Sequence, residues 1–412
     1  MIFSIAWKNV WRNKLRSLIV ILSIALGLLG GLFYLGFSNG MIQHQISSSI
    51  KTQISNIQLH HPEYLINDEM KYSIDNPESV IKKIKTIDDV KSAAYRVKGS
   101  AMISSAITGT GVTINGIDPV QEKKVTNLNE RIIEGDYFKT KLRDPIVIGQ
   151  KLADKLRVKI KSKIVITIQD MSGNITYGAF RVVGIYKTEN SVFDLANIFV
   201  LSDNLNSLIG FDKNKATEIA IALKDNDSTG VVASKIKGLF SSEIASNKME
   251  IETWQEIQPA LKMLNDMTIQ FTLIFVIIIL VALSFGIINT MLMAIMERVR
   301  EIGMLMAIGM SKLRVFLMIM LETVFLSVTG GVLGVLLSWI AIEVTNKTGI
   351  DLSSVAEGLN AWGYSSFVRP TLGVSYYILI VALVFITAMI ASIFPARKAL
   401  KLKPAEAVRQ DV

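Results

Sequence analysis

The chain has 412 residues, half of them hydrophobic, a formal charge of +9 and no cysteine. The missing thiols exclude disulfides, zinc thiolates, thiol catalysis and a lipidated Cys. Length and apolar content alone fit either a large soluble protein or a membrane protein, so the placement of the apolar residues decides.

They fall in four blocks. Leu18 to Phe37, Met267 to Met296 and Pro370 to Ala396 carry no charge, and Val315 to Ile342 carries only Glu322. Each exceeds the roughly 18–20 residues that cross a hydrocarbon core of about 30 Å. The expectation is a membrane α+β protein, with four transmembrane helices and one large mixed α+β extracytoplasmic domain between helices 1 and 2. Residues 1–16, 297–314 and 397–412 together carry +9, whereas 38–266, with 29 basic and 27 acidic residues, carries only +2. Both termini and the loop at Glu297 should therefore face the cytoplasm. The high charge reflects topology and gives no hint of nucleic acid.

In chain order, residues 1–16 place Phe3, Trp7, Val10, Trp11 and Leu15 at helical spacing opposite Lys8, Asn9, Arg12 and Lys14. That suits an amphipathic helix in the cytoplasmic interface. The first transmembrane helix (17–41) is too long for a usual signal-peptide core and lacks an A-x-A site, so it reads as an uncleaved anchor. Its Ser23, Gly27 and Gly31, spaced by four, permit close helix packing; Gly330, Gly334 and Ser338 repeat the device in the third span.

Residues 42–264 form the outer domain. Asn76-Pro77-Glu78 reads as cap, first helical position and first-turn acid before Val80, Ile81, Ile84 and Ile87. The runs VTINGI, DPIVIG, IVITI, FRVVGIY and NIFVLS read as strands. Lys159, Lys161 and Lys163 alternate with apolar residues, which predicts three ammonium groups on one strand face, a solvated face or a contact for anionic lipid. His60 and His61 are adjacent in an extended stretch and point to opposite faces, so they do not share a metal.

The second apolar block is 30 residues long, about 45 Å as a helix, so 265–296 is expected to combine a transmembrane helix with a stalk starting near Pro259. Next comes ERVREIGMLMAIGMS, Glu297 to Ser311, which turns from charged to apolar between two spans. Gly303 and Gly309 mark bends or close contacts, and Ser311 is placed to cap the next helix. The segment 297–312 is either a positive-inside loop or a docking helix for a cytoplasmic partner. Glu322 lies eight residues beyond Arg314, about 12 Å along the third span (313–343), within reach of water or an Arg partner; structural pairing is favoured over proton coupling. Eight of the 17 Met fall between Met291 and Met320, and flexible thioethers suit either a surface that repacks or ordinary helix packing. An outer loop (344–372), a fourth helix (373–395) and a cytoplasmic tail (396–412) complete the chain.

The order E-R-V-R-E-I-G-M-L-M-A-I-G closely resembles the coupling segment of FtsX/MacB-type ABC transporter permeases, the group that includes the LolC and LolE subunits of lipoprotein-releasing systems. AWKNVWRNKLRS, NGIDP, IIEGDYF, IVIGQKLADKL, FRVVGIY, ETWQEIQP and the terminal FPARKALKLKPAEAVR are similar to the family as well; IKSK (160–163) departs from it where a Gly-containing turn is expected. The resemblance implies docking, with Glu297, Arg298, Arg300, Glu301, Ile302, Gly303, Leu305, Ala307 and Gly309 as ATPase-coupling residues. It implies a LolD-like cytoplasmic ATPase and a second permease subunit, identical or paralogous. It also implies membrane lipids as partners and, for a lipoprotein-releasing member, lipoproteins and a periplasmic carrier. No G-x-x-x-x-G-K-[ST] occurs, so ATP and Mg belong on a partner ATPase; this chain is expected to have no catalytic site, metal or cofactor of its own. Lipoprotein release from the inner membrane is the first expectation for cargo, ahead of drug or peptide efflux. The 229 residues from 38 to 266 disfavour regulation of a cell-wall hydrolase. The alternative outside the class is a membrane sensor or adhesion protein.

Overall fold

A computed structural model describes residues 2–140 and 142–400; most of the tail read as cytoplasmic lies outside the described residues. The chain divides into two compact units. One holds the described residues of Met1–Met41, Asn265–Asp351 and Phe367–Val412, the other Ile42–Leu264 and Leu352–Ser366. The outer loop is thus split, its middle part packing with the α+β unit.

Helix α1 (Ile2–Arg12) leads into α2 (Lys14–Ser49), which ends in a π-turn, Ile50–Ile54. Ala6 and Val10 are buried while Phe3, Trp7 and Trp11 stay exposed, and the Phe3 and Trp7 rings meet Phe325 edge-on at 4.7 and 5.4 Å. Past Met41, Ile42, Ile46, Ile50 and Ile54 recur every fourth residue and pack against Trp254 and Leu261 in the α+β unit.

The α+β unit is built on a ten-stranded sheet. Its strands are β1 (Ile57–His60), β2 (Val90–Ser104), β3 (Gly109–Ile117), β4 (Ile132–Gly135), β5 (Pro145–Gly149), β6 (Lys163–Gln169), β7 (Ile175–Tyr186), β8 (Asn197–Leu201), β9 (Glu218–Leu223) and β10 (Glu250–Thr253). Their order is β10-β1-β9-β2-β3-β8-β5-β7-β4, with β6 paired to β2 and β7. All five apolar runs read from the sequence as strands are strands. Helix α3 (Pro77–Ile84) has Pro77 at its start, Glu78 in its first turn and Val80, Ile81 and Ile84 buried. Asn76 differs from the expectation: it sits at φ 49 and makes no side-chain cap, a left-handed conformation that Asn tolerates. Helix α4 (Pro119–Val125) is capped by Asp118, which accepts from Val120 N, and α5 (Thr229–Leu239) covers the sheet beside β10. The long β2 serves two cores. Ala93 packs with Ile57, Ile84, Ile219 and Ile236, while Val97 and Ile103 pack with Ile114, Ile148 and Phe180.

The lysine alternation is corrected by the structure. Residues 159–162 form a turn closed by Ser162 N donating to Lys159 O at 3.0 Å, and Lys161 takes φ 71, so only Lys163 belongs to a strand. The turn stands where the sequence lacks the expected glycine. His60 ends β1 and its Nε2 lies 2.8 Å from Glu252 Oε2, whereas His61 stacks on Tyr72.

A buried ion cluster, unread in the sequence, joins the two cores. Arg96 on β2 donates to Glu122 on α4 at 2.7 and 3.1 Å, to Glu218 on β9 at 2.7 Å and to the Gln53 carbonyl at 3.2 Å. Lys98 adds a 2.9 Å bond to Glu218. Burial alone would raise the Glu218 carboxyl, but Lys98 and Arg96 hold it below its usual range.

In the other unit run α6 (Pro259–Glu297), α7 (Val299–Ala307), α8 (Lys312–Thr348) and α9 (Val374–Leu400), the first beginning in the α+β unit. Among the described residues, α2 with its π-turn, α6, α8 and α9 are long and apolar enough to cross a membrane. Helix α6 has 39 residues, about 58 Å at 1.5 Å per residue, and begins at Pro259.

Candidate coupling site

Glu297 closes α6 and Arg298, at φ −109, breaks the helix before α7 begins. Around the break, three charged side chains take different partners. Glu297 pairs with Arg16 of α2. Arg298 turns toward α8, its Nη1 3.1 Å from both Glu322 oxygens, while its Nε reaches Glu301 at 3.0 Å. Glu301 also accepts two bonds from Arg12 Nη2, at 2.6 and 2.7 Å. Arg12, Glu301, Arg298 and Glu322 therefore alternate from α1 through α7 to α8, and with the separate Arg16–Glu297 pair they line a polar cavity of about 280 Å³ that Asn9, Asn13 and Thr290 also line.

Burial ranks these contacts. The Arg12 and Glu301 side chains are 54% and 45% exposed, so their pair contributes at most about 1 kcal/mol. Arg298 and Glu322 are only 15% and 10% exposed, and removing one partner would strand the other at a cost of about 3–5 kcal/mol. The Arg12 hydrogen bonds, then the Arg298 contact, hold the Glu301 carboxyl below the ordinary Glu range. Glu322 thus has the arginine partner that was expected of it, supplied by Arg298 across 24 residues.

The remaining side chains of the segment separate by face. Val299, Ile302 and Gly303 are buried, and Leu305 is half-buried. Arg300, Met304, Ala307, Ile308 and Gly309 are exposed, followed by exposed Lys312, Leu313 and Arg314. Arg300, Met304 and Ile308 recur every fourth residue, which puts them on one stripe of the helix. Sequence reasoning left Met304 and Ile308 out of the candidate coupling set, although that spacing was there to be read. Gly309 ends α7 at φ 102: Met310 N donates to Leu305 O at 3.0 Å and Gly309 N to Met306 O at 3.2 Å, a Schellman closure that favours glycine. Ser311 stands at the N-cap of α8 without a side-chain capping bond, contrary to its expected role.

The small-residue stripes point to different neighbours. A Cβ at Gly27 would lie 3.8 Å from Leu283, and one at Gly31 would overlap the Ile279 side chain, so these two face α6; Ser23 is exposed. Gly330 and Gly334 lie against α2, with Ile21 and Ile24 beside the first and Ala25 and Leu28 beside the second.

Four candidate spans, an α+β domain between the first two and a charged segment between the second and third are the layout of an ABC transporter permease. Residues 17–239 match the MacB-like periplasmic core domain and residues 273–404 the FtsX-like permease C-terminal family. The chain belongs to the FtsX/MacB-type ABC transporter permeases, a family that works with an ATPase. It is 25% identical to an uncharacterised ABC transporter permease of Methanocaldococcus jannaschii, covering 99% of this chain and 97% of the relative. It is 24% identical to the lipoprotein-releasing system transmembrane protein LolC of Neisseria meningitidis, over 97% and 96% of the two chains. The pyoverdine export ATP-binding/permease protein PvdT of Pseudomonas savastanoi is 25% identical over 98% of this chain and 59% of its own length. Among solved structures, the periplasmic region of MacB from Actinobacillus actinomycetemcomitans is 9% identical with a TM-score of 0.37, over 53% of this chain and 98% of that one.

Proposed function

We propose that this chain is a permease subunit, set in the inner membrane with both termini cytoplasmic, that a separate ATPase drives through the segment 297–311. ATPase closure presses on the exposed stripe of Arg300, Met304 and Ile308, and the displacement reaches the extracytoplasmic domain mechanically. The observation that carries this reading is the ion chain Arg12–Glu301–Arg298–Glu322, which fastens the segment to α1 and α8 so that a push on it is not absorbed locally. A loop serving only as a topological signal has no need of such fastening. A second permease subunit, identical or paralogous, completes the transporter.

Lipoprotein release is the proposed cargo function. Supporting it, Glu322 is the one charge within the four apolar blocks, and it is engaged by Arg298, which leaves little to line a polar path through the membrane. Acylated proteins need extraction rather than passage, since each buried CH₂ resists removal by about 0.8 kcal/mol. The end-to-end similarity to LolC agrees. Efflux of small molecules or peptides is the second reading, favoured by the similarity to PvdT over 98% of this chain. Depleting the chain distinguishes them: lipoproteins retained in the inner membrane, with drug sensitivity unchanged, support release. Normal lipoprotein delivery with raised drug or peptide sensitivity supports efflux.

A further inference from the structure

Helix α6 leads directly into the segment 297–311 and is the obvious carrier of any displacement. It meets the first span through side chains, however: the far ends of the Leu283 and Ile279 side chains face Gly27 and Gly31, and the Tyr34 and Phe275 rings lie 4.6 Å apart. In the apolar stretch of α6 only 11% of the residues are buried within the chain, against 39% in that of α8.

Helix α8 meets α2 differently. A Cβ at Gly330 would lie 3.0 Å from the Ile21 carbonyl oxygen, and one at Gly334 would lie 2.9 Å from Ala25 Cα, Ala25 O and Leu28 Cβ. One turn further, Ser338, whose hydroxyl donates to Gly334 O at 2.6 Å, sets its Oγ 3.3 Å from Leu28 O. Three successive turns of α8 are therefore seated on the α2 backbone itself. Glu322, the terminus of the ion chain, lies eight residues before Gly330 on the same unbroken helix.

We propose that α8 is a transmission element: the Arg298–Glu322 pair hands displacement of the coupling segment to the third span, and the Gly330–Gly334–Ser338 seam hands it on to the first. Arg298 cannot leave Glu322 without stranding a carboxylate in an apolar span, and α8 cannot slide along α2 without opening a seam that has no side chains to refill it. Movement of α7 thus entrains α8 and α2 together, beside the direct route through α6. Glu322, Gly330 and Gly334 act as positioning residues. They need touch neither ATPase nor cargo.

This inference rests on the proposed ATPase coupling, and its test separates the two. Because the chain has no native cysteine, a spin label at Lys159 is unique, and the distance between labels on paired permease subunits can be compared with and without Mg-ATP in the reconstituted complex. Glu322→Gln and Gly334→Ala should keep the bound ATPase but lower the ATP-driven equilibrium ratio of moved to resting distances at least about fivefold, the lower end of typical site-to-site coupling. Glu322→Asp, which keeps a carboxylate for Arg298, should retain more of it than Glu322→Gln, and Gly286→Ala, where a Cβ meets nothing within 4 Å, should leave it unchanged. If Gly334→Ala does not accumulate, the two Glu322 variants decide. Full movement in Glu322→Gln, or Glu322→Asp no better coupled than Glu322→Gln, overturns the inference. A wild-type complex that binds no ATPase overturns the proposed function instead.

Discussion

Replacing Arg96 by Ala should loosen the extracytoplasmic domain at the junction of its two cores. The guanidinium is 3% exposed, and its removal leaves the Glu122 and Glu218 side chains, 1% and 3% exposed, in its place. Glu218 keeps Lys98 at 2.9 Å, but among the described residues Glu122 is left with only the Thr126 hydroxyl, at 2.9 Å. Breaking a buried ion pair from one side costs about 3–5 kcal/mol. At about 1.4 kcal/mol per factor of ten, protection of the β2 and β9 amides against hydrogen exchange should fall between about a hundredfold and several thousandfold. Arg96→Met combined with Glu122→Gln should recover most of the loss, since it removes both charges while Lys98 still answers Glu218. The acid limb has a definite sign. Glu218 titrates below its ordinary range, so its contribution is present above that range and disappears as pH falls through the lowered value. Exchange in Arg96→Ala within a factor of five of wild type would refute the reasoning, because the cluster would then be wet or dispensable.

Asp194 should give the opposite pH dependence in the same domain. Burial, offset in part by hydrogen bonds from Thr188, pushes its carboxyl up to about 6. Stability should therefore decline by roughly 3 kcal/mol as pH rises from about 4 to above 6, and Asp194→Asn should abolish that slope in a denaturation series. Single cysteines at Lys14, Lys312 and Lys159 should be labelled from outside by an impermeant reagent only at 159; outside labelling at 312 would invert the proposed orientation. Glu301→Lys should place a cation between Arg12 and Arg298, leaving the protein inserted but weakening ATPase stimulation. Unchanged stimulation would show that these pairs do not position the segment.

Hydrophobic periodicity carried the architecture because spans and half-buried strands are local patterns: the four long helices, the strands at VTINGI and IVITI, and the start of α6 at Pro259 all follow from neighbours in sequence. The ion contacts did not, because their members are remote. Arg12 and Glu301 are 289 residues apart, and Arg96 and Glu218 are 122 apart. Nothing near Glu322 in sequence distinguishes Arg298 from Arg314 as its partner; the helix break after Glu297 makes the choice. The coupling segment was legible as a unit but not by face. Its charged residues drew attention, yet Glu297, Arg298 and Glu301 are engaged within the chain, while Met304 and Ile308 are exposed. At Lys159–Lys163, alternation misled because a turn with a left-handed lysine also places polar and apolar residues in turn.

The most direct measurement is the affinity of the purified ATPase for the permease carrying Ile308→Asp. Ile308 is 78% exposed and lies outside the ion chain, so the substitution leaves the internal fastening intact while placing a charge on the proposed docking stripe. If ATPase presses there, binding should weaken by at least about tenfold, as for a central interface residue, with normal insertion and expression. Wild-type affinity and stimulation in Ile308→Asp would contradict docking at this segment.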